Sequence, residues 1–500
     1  MTESSTSGDG AVAQRDAHQL RRGTLGVLGV AFFVVSAAAP LTAMAGGAPV
    51  AMLLGNGPGI PLAYVVVSVI LVIFAVGYTA MARHHTSTGA FYSYVARGLR
   101  QPAGGAAALI ALLGYNAMQI GLYGLFGAAA SGFVAENLGL SAPWWVFALV
   151  ALALIAVCGY RQVDLSVKVL AVLVSLEFLI VVILDVAILV EGGGGGGGPI
   201  TATPFTWSSF TSGSVAVALL FNFASFIGFE ATTIYSEEAK DPNRTVPRAT
   251  YVAVLTIGVF YTVTTWLMVE AQGAAGLQDH LADLKPDPTA FLFELGGTYL
   301  GGALTTVMSL LFVSSVFAAL LAFHNAVARY CFALGREGLV PARLGRTHTV
   351  HLSPHVGSVS QSVLALVVVL LFVVTGQDPA LGLFTWLTQL GTLAIIVLMA
   401  LASFAVLAFF AAHRELDSNR LRTAVAPAVG GVAMAAVAVY AASQFGLLIG
   451  NPESPLRWAL PGLVVLAAVA GVVAAIVLRG RSPELYARMG RHRDVAPHDG

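Results

Sequence analysis

Charge is what this 500-residue chain has least of: only 10% of its residues are Asp, Glu, Lys or Arg, against about 25% in an ordinary soluble domain. That scarcity, with 57% hydrophobic residues and a mean hydropathy of +0.83, excludes a soluble globular protein. Cysteine is nearly missing, since Cys158 and Cys331 are the only two, so no disulfide or thiolate metal framework is expected. No Gly-x4-Gly-Lys-Ser/Thr occurs, which argues against direct coupling to ATP. The first 20 residues contain no apolar core, so no cleaved signal is expected there, only a disordered tail. His348, His351 and His355 gather in one loop without accompanying thiols or carboxylates, and they are not expected to form a metal site. No cofactor and no nucleic-acid partner is expected.

What the chain does have is long apolar runs. Twelve are long enough to cross a hydrocarbon core of about 30 Å at about 1.5 Å per residue. They lie near residues 25–54, 61–81, 104–134, 143–158, 167–190, 214–235, 250–271, 300–334, 355–375, 381–411, 425–448 and 458–478. With the N-terminus on the cytoplasmic side, 23 of the 25 Lys and Arg residues fall inside, leaving Lys285 and Arg457 outside. Because positive charge resists translocation, this asymmetry predicts cytoplasmic N- and C-termini. The expected layout is a cytoplasmic tail over 1–23, a transmembrane domain over 24–478 and a cytoplasmic tail over 479–500 in the plasma membrane.

The first span contains "SAAAPLTAMAGGAP", residues 36–49, with two prolines and a Gly-Gly pair. As a continuous helix it would run about 45 Å, longer than the core requires. A second candidate interruption lies in span six, five spans later. Broken helices at corresponding places in two halves point to an inverted repeat around a central binding site. The expected fold is therefore an all-α integral membrane protein of 12 transmembrane helices. It would comprise a 5+5 inverted repeat (about 24–190 and 212–411), broken helices 1 and 6, and two extra C-terminal helices (about 425–478). The outer "EGGGGGGGPI" is expected to be a flexible linker, and residues 278–291 a short helix on the membrane surface.

Span six continues into "FNFASFIGFEATTIYSEEAKDPNRTVPRA", residues 221–249, and span eight into "FHNAVARYCFALGREGLVPARLGRTH", residues 323–348. The Gly-Phe-Glu, the Glu-Glu-x-Lys-Asp-Pro-x-Arg turn, the Pro-Arg-Ala opening and the Asn-x-x-x-Arg pattern resemble the amino acid, polyamine and organocation (APC) permeases. The resemblance covers roughly residues 25–478.

In such carriers an α-amino acid needs partners for its carboxylate and its ammonium once water is excluded. An unwound helix supplies them as free N–H and C=O groups, helped by the helix dipole. The resemblance places the span-one break at Ala39, Pro40, Leu41, Thr42 and Ala43, with Leu41, Thr42 and Ala43 standing where the family usually has Gly-Ser-Gly, and with Gly46-Gly47 as a competing site of unwinding. In span six it places the break around Ser225 to Gly228, with Phe223 or Phe226 as a gate or cation-π partner for the substrate. Asn116, Gln119 and Phe323 fall near positions that face the substrate side chain in relatives, and His324 sits beside the last.

Glu230 and Glu177 are carboxylates inside spans, where a charge is costly and functional by default. Glu230 either pins the broken segment or titrates. Aligning "SVKV" (166–169) with the family's Ser-Ala-Lys-Val puts Glu177 where many proton-linked relatives carry a lysine. Glu177 then either carries the coupled proton itself or contributes to a sodium site with Ser314 or Ser315. Asp185, eight residues on, is expected to be solvated nearer the outer surface. The cytoplasmic signature Glu237, Glu238, Lys240, Pro242, Arg244 and Arg248, with Asn325 and Arg329, would hold an inner loop against neighbouring spans.

The function expected is secondary transport of an amino acid or related amine by alternating access, with H+ as the coupling ion. Exchange and sodium-coupled carriage of a polyamine or organocation stay open. A membrane-embedded enzyme would need a catalytic constellation at one face, and none stands at motif spacing. A permease-like sensor would need a large soluble output region, and both tails are short.

Overall fold

The computed structural model describes residues 26–84, 90–161, 167–230, 232, 240–348 and 353–490. Among them every element longer than one turn is helical. In chain order these are α1 (Val27–Ala37), α2 (Ala48–Leu54), α3 (Ile60–Ala82), α4 (Ala90–Leu99), α5 (Gln101–Leu138) and α6 (Trp144–Arg161). Next come α7 (Val167–Glu191), α8 (Val215–Ala224), α9 (Pro242–Gln272), α10 (Leu277–Asp283), α11 (Ala290–Tyr299) and α12 (Gly302–Glu337). The chain closes with α13 (His355–Val374), α14 (Thr385–Ala412), α15 (Ala426–Ser443), α16 (Leu456–Arg481) and α17 (Pro483–Arg488).

Ten of the described helices are long and apolar enough to cross a membrane. They coincide with ten of the twelve runs read from the sequence. The two left over, spans one and six, hold only shorter apolar helices, Thr42–Leu54 and Val215–Ala224.

The solvent for such a bundle is lipid, so apolar side chains face out and polar ones hide. On α13, Val363, Val367, Leu371 and Val374 are exposed, as are Val465, Val469, Val473 and Ile476 on α16. Gln119, Glu177, Glu230, His324, Gln361 and Gln389 are buried. The long α5 runs through the middle, packing on α12, α14 and α16, while α9 packs on α1 and α3.

Small residues set the closeness of these crossings. A Cβ on Gly105 of α5 would lie 2.3 Å from the carbonyl oxygen of Gly471 on α16, and a Cβ on Gly471 2.1 Å from that of Gly105. Helix association in lipid depends on such approaches.

One outer segment differs from its sequence expectation. The glycine run is a docked turn rather than a linker: Gly193 and Gly198 bridge, Gly194 N–H donates to the Glu270 carbonyl at 2.9 Å, and Gly195 N–H to that of Ala271 at 2.8 Å. Without side chains the backbone can lie flush against the end of α9. Helix α10 forms as expected, and it buries Leu277 and Leu281, packing on α2.

Candidate functional site

The first interruption follows from one residue. Pro40 has no N–H and its ring crowds the preceding turn, so α1 ends at Ala37. The chain then passes through Ala39 at φ 44°, a left-handed conformation that costs an alanine about 1–2 kcal/mol. Helix resumes at once and widens into a π-helical stretch over Thr42–Gly47. The break is thus narrower and earlier than expected: Leu41, Thr42 and Ala43 lie just past it, and Gly46-Gly47 stay helical.

The second interruption begins where α8 ends at Ala224. Ser225 to Glu230 follow as tight turns, with Phe226 N–H donating to the Phe223 carbonyl, Ile227 to Ala224 and Phe229 to Phe226. Gly228 takes φ 117°, a region open in practice only to glycine.

Side chains from five neighbouring helices hold the two breaks. Ser315 Oγ on α12 donates to Glu177 Oε2 on α7 at 2.8 Å and bonds Thr42 Oγ1 at 2.9 Å. The Leu41 N–H points to the same Glu177 oxygen at 3.4 Å. Ser314 instead donates within its own helix to Leu311. Tyr261 OH on α9 donates to the Ala38 carbonyl at 3.3 Å. Tyr64 OH on α3 bonds Ser225 Oγ at 2.9 Å. Glu230 closes its own turn, accepting from Gly228 N–H and from Tyr115 OH of α5, both at 2.8 Å. Its carbonyl accepts from Tyr78 OH at 3.2 Å.

Between the breaks lies a cavity of about 60 Å³, room for several water-sized atoms. From the first break it is lined by Ala38, Ala39, Thr42, Ala43 and Gly47, and from the second by Phe221, Ala224, Ser225 and Ile227. Met118 and Leu122 of α5, Ala319 and Phe323 of α12, and Phe384, Thr388 and Gln389 at the start of α14 complete the wall.

Of the residues named from the sequence, Ala39, Thr42, Ala43, Gly47, Ser225 and Phe323 line this cavity, and Pro40 and Leu41 adjoin it in the chain. The others do not reach it. Phe226 is buried against Tyr64 and Tyr261, ring centroids 6.4 and 5.9 Å away, and Phe223 is likewise packed in the core. Gly228 lies past the lining residues, in the turn that Glu230 closes. Asn116 donates back to the Leu112 carbonyl at 2.6 Å. Gln119 is spent on Tyr123 OH at 3.0 Å and on Gln361 of α13. Both amides stand on α5 at the right depth but on the wrong side, a matter of helix rotation. Asp185 is buried rather than solvated, accepting from Thr264 Oγ1 at 2.7 Å.

The wall from α14 went unnoticed, although Thr388 and Gln389 are polar residues inside an apolar span and could have signalled it. His324 faces away from the cavity's neighbours, bonding Ser358 Oγ at 2.8 Å beside Gly159. His348 and His355 pack edge-to-face with each other and with Tyr160, and His351 lies outside the described residues. Glu237 and Glu238 also lie outside them. Asp241 and Arg244 form an exposed pair at 3.7 Å, Pro242 opens α9, Lys240 and Arg248 are exposed, and Asn325 and Arg329 sit on α12.

The chain has clear relatives. The sequence model of the amino acid permease family matches residues 25–470. The low-affinity putrescine importer PlaP of Escherichia coli (strain K12) is 26% identical over 321 residues, covering 62% of this chain and 67% of that protein. The branched-chain amino acid permease BcaP of Bacillus subtilis (strain 168) is 23% identical over 397 residues, covering 75% and 77%. The histidine permease HisP of Lactococcus lactis subsp. cremoris (strain MG1363) is 26% identical over 309 residues, covering 58% and 61%.

Proposed function

The chain belongs to the amino acid permease family, a transporter and not an enzyme, and on that premise we propose that it is a secondary carrier of an amino acid or related amine. It works by alternating access in the plasma membrane. The observation that carries this is the pair of interrupted helices facing one cavity. Relatives named for putrescine, branched-chain amino acids and histidine support the substrate class. The ten long helices, with spans one and six interrupted, support a twelve-span bundle with an inverted repeat, and the placement of Lys and Arg supports both termini inside. The residues at Ala39 to Ala43 and at Ser225 meet the substrate's charged groups with their backbone, and Phe323 covers its side chain.

The coupling ion in this reading is a proton held by Glu177. An ionised carboxylate only accepts hydrogen bonds, whereas a protonated one also donates. Loading a proton therefore weakens what Glu177 Oε2 offers to Leu41 N–H and Ser315 Oγ, and so loosens the first break from α7 and α12. Release restores the link.

A second reading is favoured by one detail: Glu177, Ser315 and Thr42 gather oxygens, the ligand type that a hard cation such as sodium takes. Uptake into proteoliposomes, with a panel of amino acids and amines under imposed pH or sodium gradients, tests both. Uptake by wild type is expected to follow the pH gradient, and Glu177→Gln is expected to bind substrate but ignore that gradient. A variant that still follows it, or a wild type that follows only sodium, removes the proton assignment.

A further inference from the structure

The polar side chains that line the cavity are engaged elsewhere, with one exception. Thr42 Oγ1 is paired with Ser315 Oγ, and Ser225 Oγ with Tyr64 OH and the Phe221 carbonyl. Thr388 Oγ1 donates to the Phe384 carbonyl at 2.8 Å. Gln389, the next residue on α14, is completely buried. Its Nε2 reaches only Thr388 Oγ1, at a long 3.4 Å, and its Oε1 has no partner among the described residues. A buried amide left unpaired in a lipid-embedded bundle is costly. Its place on the cavity wall means that the missing partner can arrive with a ligand.

The rest of the wall limits what that ligand is. No Asp, Glu, Lys or Arg lines the cavity, so a full charge on the substrate's side chain would be buried without a counter-ion. A hydroxyl or carboxamide carries no charge and offers both a donor and an acceptor. It can therefore satisfy either end of the Gln389 amide.

We propose that Gln389 is the specificity-determining residue of this cavity, selecting amino acids whose side chains carry an uncharged hydrogen-bond donor, a hydroxyl or carboxamide. The proposal rests on the amino acid reading above. It predicts that threonine is preferred to valine, which has the same shape with a methyl in place of the hydroxyl. A site built to hydrogen-bond its substrate rejects the analogue that leaves its polar group unpaired.

Paired uptake measurements in proteoliposomes test this, comparing threonine with valine and asparagine with leucine. They are made on wild type and on Gln389→Met, which keeps the side-chain length and removes the amide. The expected result is a wild-type preference for threonine and asparagine, with a threonine-to-valine ratio that falls about tenfold or more in Gln389→Met, as loss of one hydrogen bond to a buried polar group implies. A wild type that prefers valine overturns the proposal without any variant, so a poorly folding Gln389→Met does not shelter it. An unchanged ratio in a transporting variant overturns it as well. If wild type takes up no amino acid or amine, the functional reading itself falls, a result distinguishable from either of these.

Discussion

Gly228 and Glu230 show how few atoms keep the second break open. At φ 117° a Cβ is strained whatever space surrounds it. Gly228→Ala is therefore expected to cost about 1–3 kcal/mol, read as a lower unfolding midpoint in detergent, and to slow uptake as well. The Glu230 carboxyl caps the same turn and is itself held by Tyr115. Tyr115→Phe removes that donor from a buried acceptor and should cost about 1–3 kcal/mol. If Glu230 pins the turn, Tyr115→Phe lowers the maximal uptake rate and leaves its pH dependence alone. A shifted pH profile would instead favour a titrating Glu230.

Helices α5 and α16 meet where Gly105 and Gly471 bring two backbones together. Adding two methyl groups and a Cβ to that contact must push the helices apart, because the atom in the way is a backbone carbonyl and not a flexible side chain. Gly471→Val is expected to lower stability by about 1–3 kcal/mol or more. Gly462→Val on the same helix is the control, since a Cβ there meets nothing within 4 Å. Equal unfolding midpoints for the two variants would remove close packing as the reason for the glycine. The glycine run between α7 and α8 depends on the same absence of side chains: a Cβ on Gly193 would lie 2.5 Å from the Glu270 carbonyl oxygen.

Across the whole molecule, residues 483–490, which follow the last long helix, pack back against the bundle. Met489 is buried, and Gly490 N–H donates to Tyr92 OH of α4 at 2.8 Å. Leu478 and Leu485 close over Gly338 at the end of α12. Truncation after Ser482 gives up that burial, and a fully buried methionine is worth about 1.5–3 kcal/mol. The expected outcome is a lower unfolding midpoint with uptake retained. The proposed topology has its own check, in a chain whose Cys158 and Cys331 are first replaced. A single cysteine at Lys285 or Arg457 should react with a membrane-impermeant maleimide on intact cells, and one at Arg343 only after permeabilisation.

Hydrophobicity and proline placement are local properties, so the sequence by itself determined the ten long apolar helices, the weakness of spans one and six, and the family. It also marked Glu177 and Glu230 as carboxylates inside the bundle, where both are buried, because a charge inside an apolar run is visible without coordinates. Which residues share the cavity is not local. A rotation of α5 by a fraction of a turn decides that Met118 and Leu122 face the cavity while Asn116 and Gln119 bond elsewhere. Only the tertiary structure placed Ser315 rather than Ser314 beside Glu177, buried Phe226 among tyrosines and brought Gln389 to the wall from a span more than 150 residues away from either break. Hydrophobic periodicity says which residues leave water or lipid, but packing between distant helices decides whom each of them meets.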